Sequence, residues 1–362
     1  MKRFFFVADV HVGNHTLQGG ASVCGVNDRC QDHLRALAQA IAIAKAEKAT
    51  LIVCGDLFDV AKPTPQVVAA VMRELARGGD IIVLVGNHDR VTDAPNDHAC
   101  VPLTFLSNVS VVDAPTKRSV GDVNIAFFPP PPRGTRMKDW TDANSDILYK
   151  THIVVAHCGI ITEKTPPFLT GSEGALTIAQ ANALLAKCLP GARMYVGDWH
   201  TRMTSGAVEQ IGALCPTGWD NATEYEGHTY YGWISCAEVD PKSDKVTRLT
   251  PQRVEDIPTF LVADSVEQAL ELLQETARAR VKLKVHPREI GKIDKGSLPG
   301  NVLVVAHKER ADEIAKADDV KTRASSVVSI EEAIWAHAET VAPEDEVNGV
   351  AQLALSYYRG AE

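Results

Sequence analysis

The chain has 362 residues, 45% hydrophobic and 23% charged, a globular balance that excludes disordered and fibrous classes and suffices for one full core plus a smaller one. No run approaches the roughly 18 consecutive apolar residues of a membrane span, and Asp9 cuts the apolar opening too early for a signal peptide; the sequence reads as unexported, cytoplasmic and without a membrane partner. A formal net charge of −9 gives no general attraction to nucleic acid, so a polyanion must be held by a local basic patch or by bound cations.

Near-continuous apolar runs at 3–8, 50–54, 80–85, 123–128, 151–156 and 193–196 predict strands covered on both faces. Helices are expected between them: an Ala-rich one over 31–46, and one over 66–77 that follows Thr64 and Pro65, an N-cap residue with proline at the first helical position. Together they predict a layered α/β architecture, sheets flanked by helices, over residues 1–250. Turn residues at Gly212, Pro216 to Gly218, Glu226-Gly227 and Pro241 to Ser243 predict antiparallel hairpins closing this domain. A boundary near Pro251 opens a small α+β module over 251–328, with strands at 260–263, 280–285 and 302–306 and a helix over 266–279. Helical runs at 330–340 and 347–358 occupy the last segment, 329–362. They offer either a surface for a partner or a face packed on their own domain.

The chemistry stands at strand ends. Asp9 and His11 follow the first run, two residues apart, so that in extended chain they share a side. Gly55-Asp56-Leu57-Phe58-Asp59 follows the second, Gly86-Asn87-His88-Asp89 the third, His157 the fifth and Gly197-Asp198-Trp199-His200 the sixth. These ends are expected to converge on one edge of one sheet, where open α/β sheets bind ligands. Imidazole, carboxylate and amide donors without sulfur suit manganese, iron, magnesium or zinc, and there are enough of them for two ions. The eight cysteines contain no CxxC pair and read as reduced thiols. A carboxylate shared by two cations about 3.5–4 Å apart positions a hydroxide for in-line attack on phosphorus.

The ordered motifs D-x-H, GDLFD, GNHD, H and G-x-x-H resemble the calcineurin-like metallophosphoesterase superfamily over most of residues 1–240. The resemblance implies a layered metallophosphoesterase fold and two divalent metal ions. Asp9, His11, Asp56 and His200 would hold the first ion. Asp56 would bridge to the second, which Asn87 and His157 also bind. His88 would stabilise or protonate the departing oxygen, with Asp89 fixing its orientation. The family's last motif is usually G-H-x-H, whereas Asp198 stands at its first histidine; a carboxylate there either ligates, favouring a harder ion such as manganese or magnesium, or turns away and leaves the second site weakly occupied.

The residues after Asp59 and the presence of Asp89 rather than glutamate after G-N-H fit the protein phosphatases of the superfamily poorly. GDLFD with a following proline, the helix carrying Arg29 and Asp32, GNHD and the small C-terminal module look like the SbcD-type nuclease subunit of double-strand-break repair, phage-encoded relatives included. That likeness implies DNA as substrate, manganese, a homodimer and an SbcC-type coiled-coil ATPase as partner. Arg280, Lys282 and Lys284 alternate with Val281, Leu283 and Val285, which predicts either three cations on one solvent face, able to track phosphates, or a charged face protecting a sheet edge. Arg90, beside GNHD, would meet a substrate phosphate or pair with a carboxylate. Trp199 is expected to pack, and His15, His98, His152 and His228 to be structural or exposed. Two rival readings stand beside the nuclease: a stand-alone phosphodiesterase for cyclic nucleotides or small esters, and a non-catalytic scaffold with a lost second metal site.

Overall fold

The computed structural model describes residues 1–15, 22–163, 165, 169–218, 231–275, 278–293 and 298–306. Residues 1–307 form one compact unit; 308–362 form another and, apart from their extent, lie outside the described residues, as do the helical runs expected at 330–340 and 347–358.

The apolar runs do not share one sheet. Among the described residues they divide between a seven-stranded sheet and a six-stranded sheet packed face to face. The first runs Lys245–Arg248, Trp233–Asp240, Lys2–Val7, Thr50–Cys54, Ile81–Leu84, Val109–Val112, with Gln252–Arg253 pairing beside Trp233–Asp240. The second runs Met203–Ser205, Val208–Gln210, Arg193–Gly197, Ile153–His157, Val123–Phe128, Thr116–Val120. Their four central pairings, Lys2–Val7 with Thr50–Cys54 and on to Ile81–Leu84, and Val123–Phe128 with Ile153–His157 and on to Arg193–Gly197, are parallel.

Alternation along each strand explains the double burial. Phe4, Phe6, Ile52 and Leu84 meet Ile125, Phe127, Val155 and Tyr195 between the sheets, where Phe6 and Tyr195 stack at 3.9 Å. Phe5, Val7, Leu51, Val53 and Val83 face the opposite way, onto Leu37, Ala40 and Ile41 of helix Asp28–Ala46 and Val67, Val71 and Leu75 of helix Pro65–Leu75. Phe128, Val154, Ala156 and Val196 are covered by Met137, Leu148, Leu176, Ala181 and Leu184. The result is four layers, helix, sheet, sheet, helix. Asn27 caps the first helix through the Cys30 amide and Thr64 caps the second through the Val67 amide.

Of the antiparallel hairpins expected before residue 250, the one turning at Pro241 to Ser243 forms between Trp233–Asp240 and Lys245–Arg248, while the Glu226-Gly227 turn and His228 lie outside the described residues. Beyond it, Thr259–Ala263, Ala279–Val285 and Val302–Ala306 make a parallel three-stranded sheet, with helix Val266–Glu275 on one face. Ala279–Val285 is its middle strand, and Ala279, Val281, Leu283 and Val285 turn into the small core. The alternation places Arg280, Lys282 and Lys284 on the opposite face, of which only Arg280 is buried. Arg280 is 6% exposed and ion-paired with Asp28 and Asp32, while Lys282 and Lys284 are half-buried. The strand is central, so it protects no sheet edge, and Arg280 is taken up by Asp28 and Asp32.

Candidate metal centre

Asp9 and His11 sit just past strand Lys2–Val7 on a loop laid beside the one after Thr50–Cys54: the amides of Asp9, His11 and Val12 donate to the carbonyls of Gly55, Asp56 and Leu57 at 3.2, 3.0 and 2.9 Å. Asp9, His11 and Asp56 have φ of 49°, 48° and 52°, left-handed conformations that cost non-glycine residues energy and mark a geometry imposed by surroundings. Gly55, φ 98°, is required twice over, because a Cβ there would overlap the His157 imidazole. Gly86 is equally confined: a Cβ would overlap Asp56.

The second sheet brings its own groups to the same place. His157, the last residue of its strand, donates from Nδ1 to the Cys54 carbonyl at 2.8 Å, which directs Nε2 toward Asn87 Oδ1 at 2.8 Å and Asp56 Oδ2 at 3.3 Å. The Asp198 amide donates to Asp9 Oδ1 at 2.9 Å, and Asp198 Oδ1 lies 3.9 Å from His157 Nε2. His200 Nε2 stands 3.0 Å from His11 Nε2. Asp56 Oδ2 lies between the two histidine positions, 3.7 Å from His11 Nε2 and 3.3 Å from His157 Nε2.

Two sets of donor atoms have all their atoms within 4.8 Å of one another: Asp9, His11 and His200, and Asp9, Asp56 and His157. These groups fit divalent cations. Asp9 Oδ2 is buried without a hydrogen-bond partner, and two facing imidazole nitrogens together with two carboxylates 0% and 2% exposed form a donor set that only positive charge satisfies. Burial pushes the Asp9 carboxyl up to about 7, with Asp56 adding to it against His157 and His11. Burial acts on Asp56 in the same direction, but the charge and hydrogen bond of His157 outweigh it and hold Asp56 well below the usual carboxylate range. Burial works against a charged His157, yet Asp56 first, then Asp198 and Asp9, raise it to about 10. Both groups are thus raised in the absence of metal, and a cation bound there would displace protons from them.

The structure therefore gathers Asp9, His11, Asp56, Asn87, His157 and His200, with Asp198 at the margin. His88 is exposed at the lip, its amide donating to Asp56 Oδ1 at 2.9 Å and its Nδ1 to the Asp59 carbonyl at 2.8 Å. Asp89 does not orient it. The Asp89 carboxylate is fully buried and accepts the amides of Phe58 and Gly86 at 2.8 Å each and of Leu57 at 3.4 Å, tying the GDLFD and GNHD loops together. Burial, then the charge of Asp56, raise its carboxyl to about 6, against those amides. Arg90 is outside the cluster, donating to the Pro131 carbonyl at 3.3 Å and lying 3.8 Å from Asp93. Trp199 packs: its indole fills the space where a Gly159 Cβ would be.

Two residues outside the expected ligand set stand beside it. The Asp59 carboxylate lies 3.6 Å from His11 Nδ1 and 3.6 Å from His15 Nδ1, and a third set of donors joins His11, Asp59 and His88. His15, read as structural or exposed, bonds through Nε2 to the His11 carbonyl at 3.0 Å. The sequence signals were modest: Asp59 closes GDLFD, and His15 follows His11 by four residues.

The profile of the calcineurin-like phosphoesterases matches residues 2–182, which include Asp9 to His157 and stop short of Asp198 and His200. Among solved structures, a dimetal phosphatase from Danio rerio is similar at 11% identity and a TM-score of 0.39, covering 65% of this chain and 92% of its own. A protein of unknown function from Aquifex aeolicus is similar at 13% identity and a TM-score of 0.27, covering 51% of this chain and 94% of its own. No curated protein matches. On the family match over half its length, with the clustered donors it contains, the chain belongs to the calcineurin-like phosphoesterase family.

Proposed function

We propose that the chain hydrolyses phosphodiester bonds, with DNA as substrate, using one divalent cation held by Asp9, His11, Asp56 and His200 and a second held by Asp56, Asn87, His157 and Asp198. The observation that carries this reading is the meeting of donors from two sheets at one cluster. Cations bound there supply an electrophilic pull on the phosphoryl oxygens and lower the pKa of bound water. The protein's part is positional. The Cys54 carbonyl fixes the His157 tautomer so that Nε2 faces the cluster. The Asp59 carbonyl engages His88 Nδ1 and leaves Nε2, at the exposed lip, to meet the leaving-group oxygen.

Manganese is favoured by Asp198, an anionic oxygen where the motif usually has nitrogen. The nuclease reading draws on GDLFD with its following proline and on Asp89 in place of glutamate, the SbcD-like features; an SbcC-type ATPase partner and a homodimer follow from the same likeness. Small phosphodiesters are the second reading, favoured by the inward turn of Arg280 and by the net charge of −9, which repels a polyanion.

The test is hydrolysis of linear DNA, bis-p-nitrophenyl phosphate and cyclic nucleotides by protein stripped of metal and reloaded with manganese, with metal counted per chain. Cleavage of DNA is expected. Small-ester activity with none on DNA would reject the nuclease in favour of the second reading. One bound metal and no hydrolysis of any substrate would leave a scaffold.

A further inference from the structure

Behind the Asp9–His11 loop, helix Asp28–Ala46 carries a buried polar chain that no ligand role uses. His33, 0% exposed, donates from Nδ1 to the Val10 carbonyl at 2.6 Å, and its Nε2 accepts from Arg29 Nη2 at 3.1 Å. Arg29, also 0% exposed, donates through Nη1 to Asp32 Oδ2 at 3.1 Å, and its guanidinium lies 4.8 Å from the centroid of the Phe260 ring. Asp32 also receives Arg280 Nη2 at 2.8 Å and a bond from Arg278, both outside the four-layer domain. Hydrogen bonds thus run unbroken from strand Ala279–Val285 to the peptide between two candidate ligands.

The loop they reach has a need for such support. Val10 lies between Asp9 and His11, both left-handed, and strain of this kind persists only where neighbours over-determine the backbone. Buried ion networks contribute little net stability, which leaves geometry as what this one supplies. His15 reinforces it from the other side, stacking on His33 with ring centroids 4.6 Å apart while bonding the His11 carbonyl.

We propose that residues 259–306 act on the metal centre from behind, with Arg280, Asp32, Arg29 and His33 as positioning residues that set the Val10 carbonyl and so the separation of Asp9 from His11. The consequence for metal binding rests on the ligand assignment above; the coupling to the loop does not.

Two measurements on the full chain separate these claims: hydrogen exchange of the metal-free protein and manganese titration followed by electron paramagnetic resonance. His33→Leu removes the bond to Val10. The amides of residues 9–12 are expected to exchange faster, those of strand Lys2–Val7 not, and manganese affinity to fall by about 10–100-fold, the range for losing a residue that orients a ligand. His33→Asn, whose Nδ2 replaces Nδ1 as donor, should recover most of this. Arg280→Met, which leaves Arg29 and Arg278 on Asp32, should shift both readouts the same way by a smaller factor, and carries the test should His33→Leu not fold. A lowered melting temperature with unchanged loop exchange in both Arg280→Met and His33→Leu overturns the coupling and makes the network merely structural. Faster loop exchange in a chain that binds no manganese even unaltered would uphold the coupling and overturn the ligand assignment instead.

Discussion

Gly197 brings the second sheet against the first beside the candidate metal centre, and Gly197→Ala tests whether their spacing sets it. Its backbone is not left-handed, so alanine meets no conformational penalty and the effect is steric alone. A Cβ would stand 2.5 Å from the Cys54 carbonyl oxygen, 2.8 Å from Ala8 Cβ and 3.3 Å from His157 Nδ1. Ordinary contact begins at 3.4 Å, so the sheets must part by about 0.9 Å at this point. Backbone carbonyls cannot rotate aside as a side chain does, and Cys54 O is also the acceptor that fixes His157. Overpacking of this kind costs about 1–3 kcal/mol. The same displacement separates Asp9 and Asp56 on one sheet from His157 and His200 on the other, and a shift of about 1 Å lowers turnover by about 100-fold. The assay is hydrolysis of bis-p-nitrophenyl phosphate with manganese, beside thermal unfolding and manganese titration. Gly79→Ala, with nothing within 4 Å of its Cβ, is the control and should match the unaltered protein. A Gly197→Ala protein with unaltered manganese affinity and turnover would refute the claim that the sheets' separation sets the site.

His88→Ala should lower turnover by about 100–10,000-fold with manganese affinity unchanged, the signature of a lost proton donor; equal loss of both readouts would make His88 a structural element. Asp89→Asn replaces one of the oxygens that accept the Phe58, Gly86 and Leu57 amides by an N–H donor, and should destabilise by about 1–3 kcal/mol in chemical denaturation; an unchanged midpoint would contradict the tying role. Asp198→Ala should reduce bound manganese from two per chain to one and Asp198→His should keep two, counted by elemental analysis; two in both would show that Asp198 is no ligand. The metal-free protein should lose stability as pH rises. Asp9, raised by burial, favours the folded state below its unfolded value of 3.8 and ceases to by about 7, while the contribution of His157, raised by Asp56 against burial, is full below 6.5 and lost toward 10. Manganese needs both groups deprotonated, so the gain in melting temperature on adding it should grow from pH 6 to 9, and a gain that shrinks over that range would overturn the ligand assignment.

Site residues were legible where a polar group abuts an apolar run. Asp9, Asp56 and His157 lie at or within two residues of the ends of Lys2–Val7, Thr50–Cys54 and Ile153–His157, and Asn87 closely follows Ile81–Leu84. The division into two sheets was not legible, because a strand covered by a helix on one side and a second sheet on the other has the same two-sided apolar pattern as one between helix layers. Thr116–Val120 carries no apolar run, since its residues alternate between exposed and half-buried, and the sequence signal of helix Ile178–Leu185 is the capping box of Thr177 and Gln180 at its start.

Arg280 shows the remaining limit most clearly. Period-two alternation puts it on the correct face of its strand, but what covers that face is Asp32, 248 residues earlier, on a helix whose sequence names Asp32 without showing what it pairs with. The same holds for His33, a lone histidine on that helix, which matters only because Val10 lies against it. The donors themselves are thus encoded locally, while their spacing is set by remote contacts: the Phe6–Tyr195 stack between the sheets, the Gly197 approach and the Asp32 network. Substitutions at these places alter no ligand, yet each moves the groups that bring the ligands together, so their effects should show first in metal affinity and only then in the chemistry that depends on it.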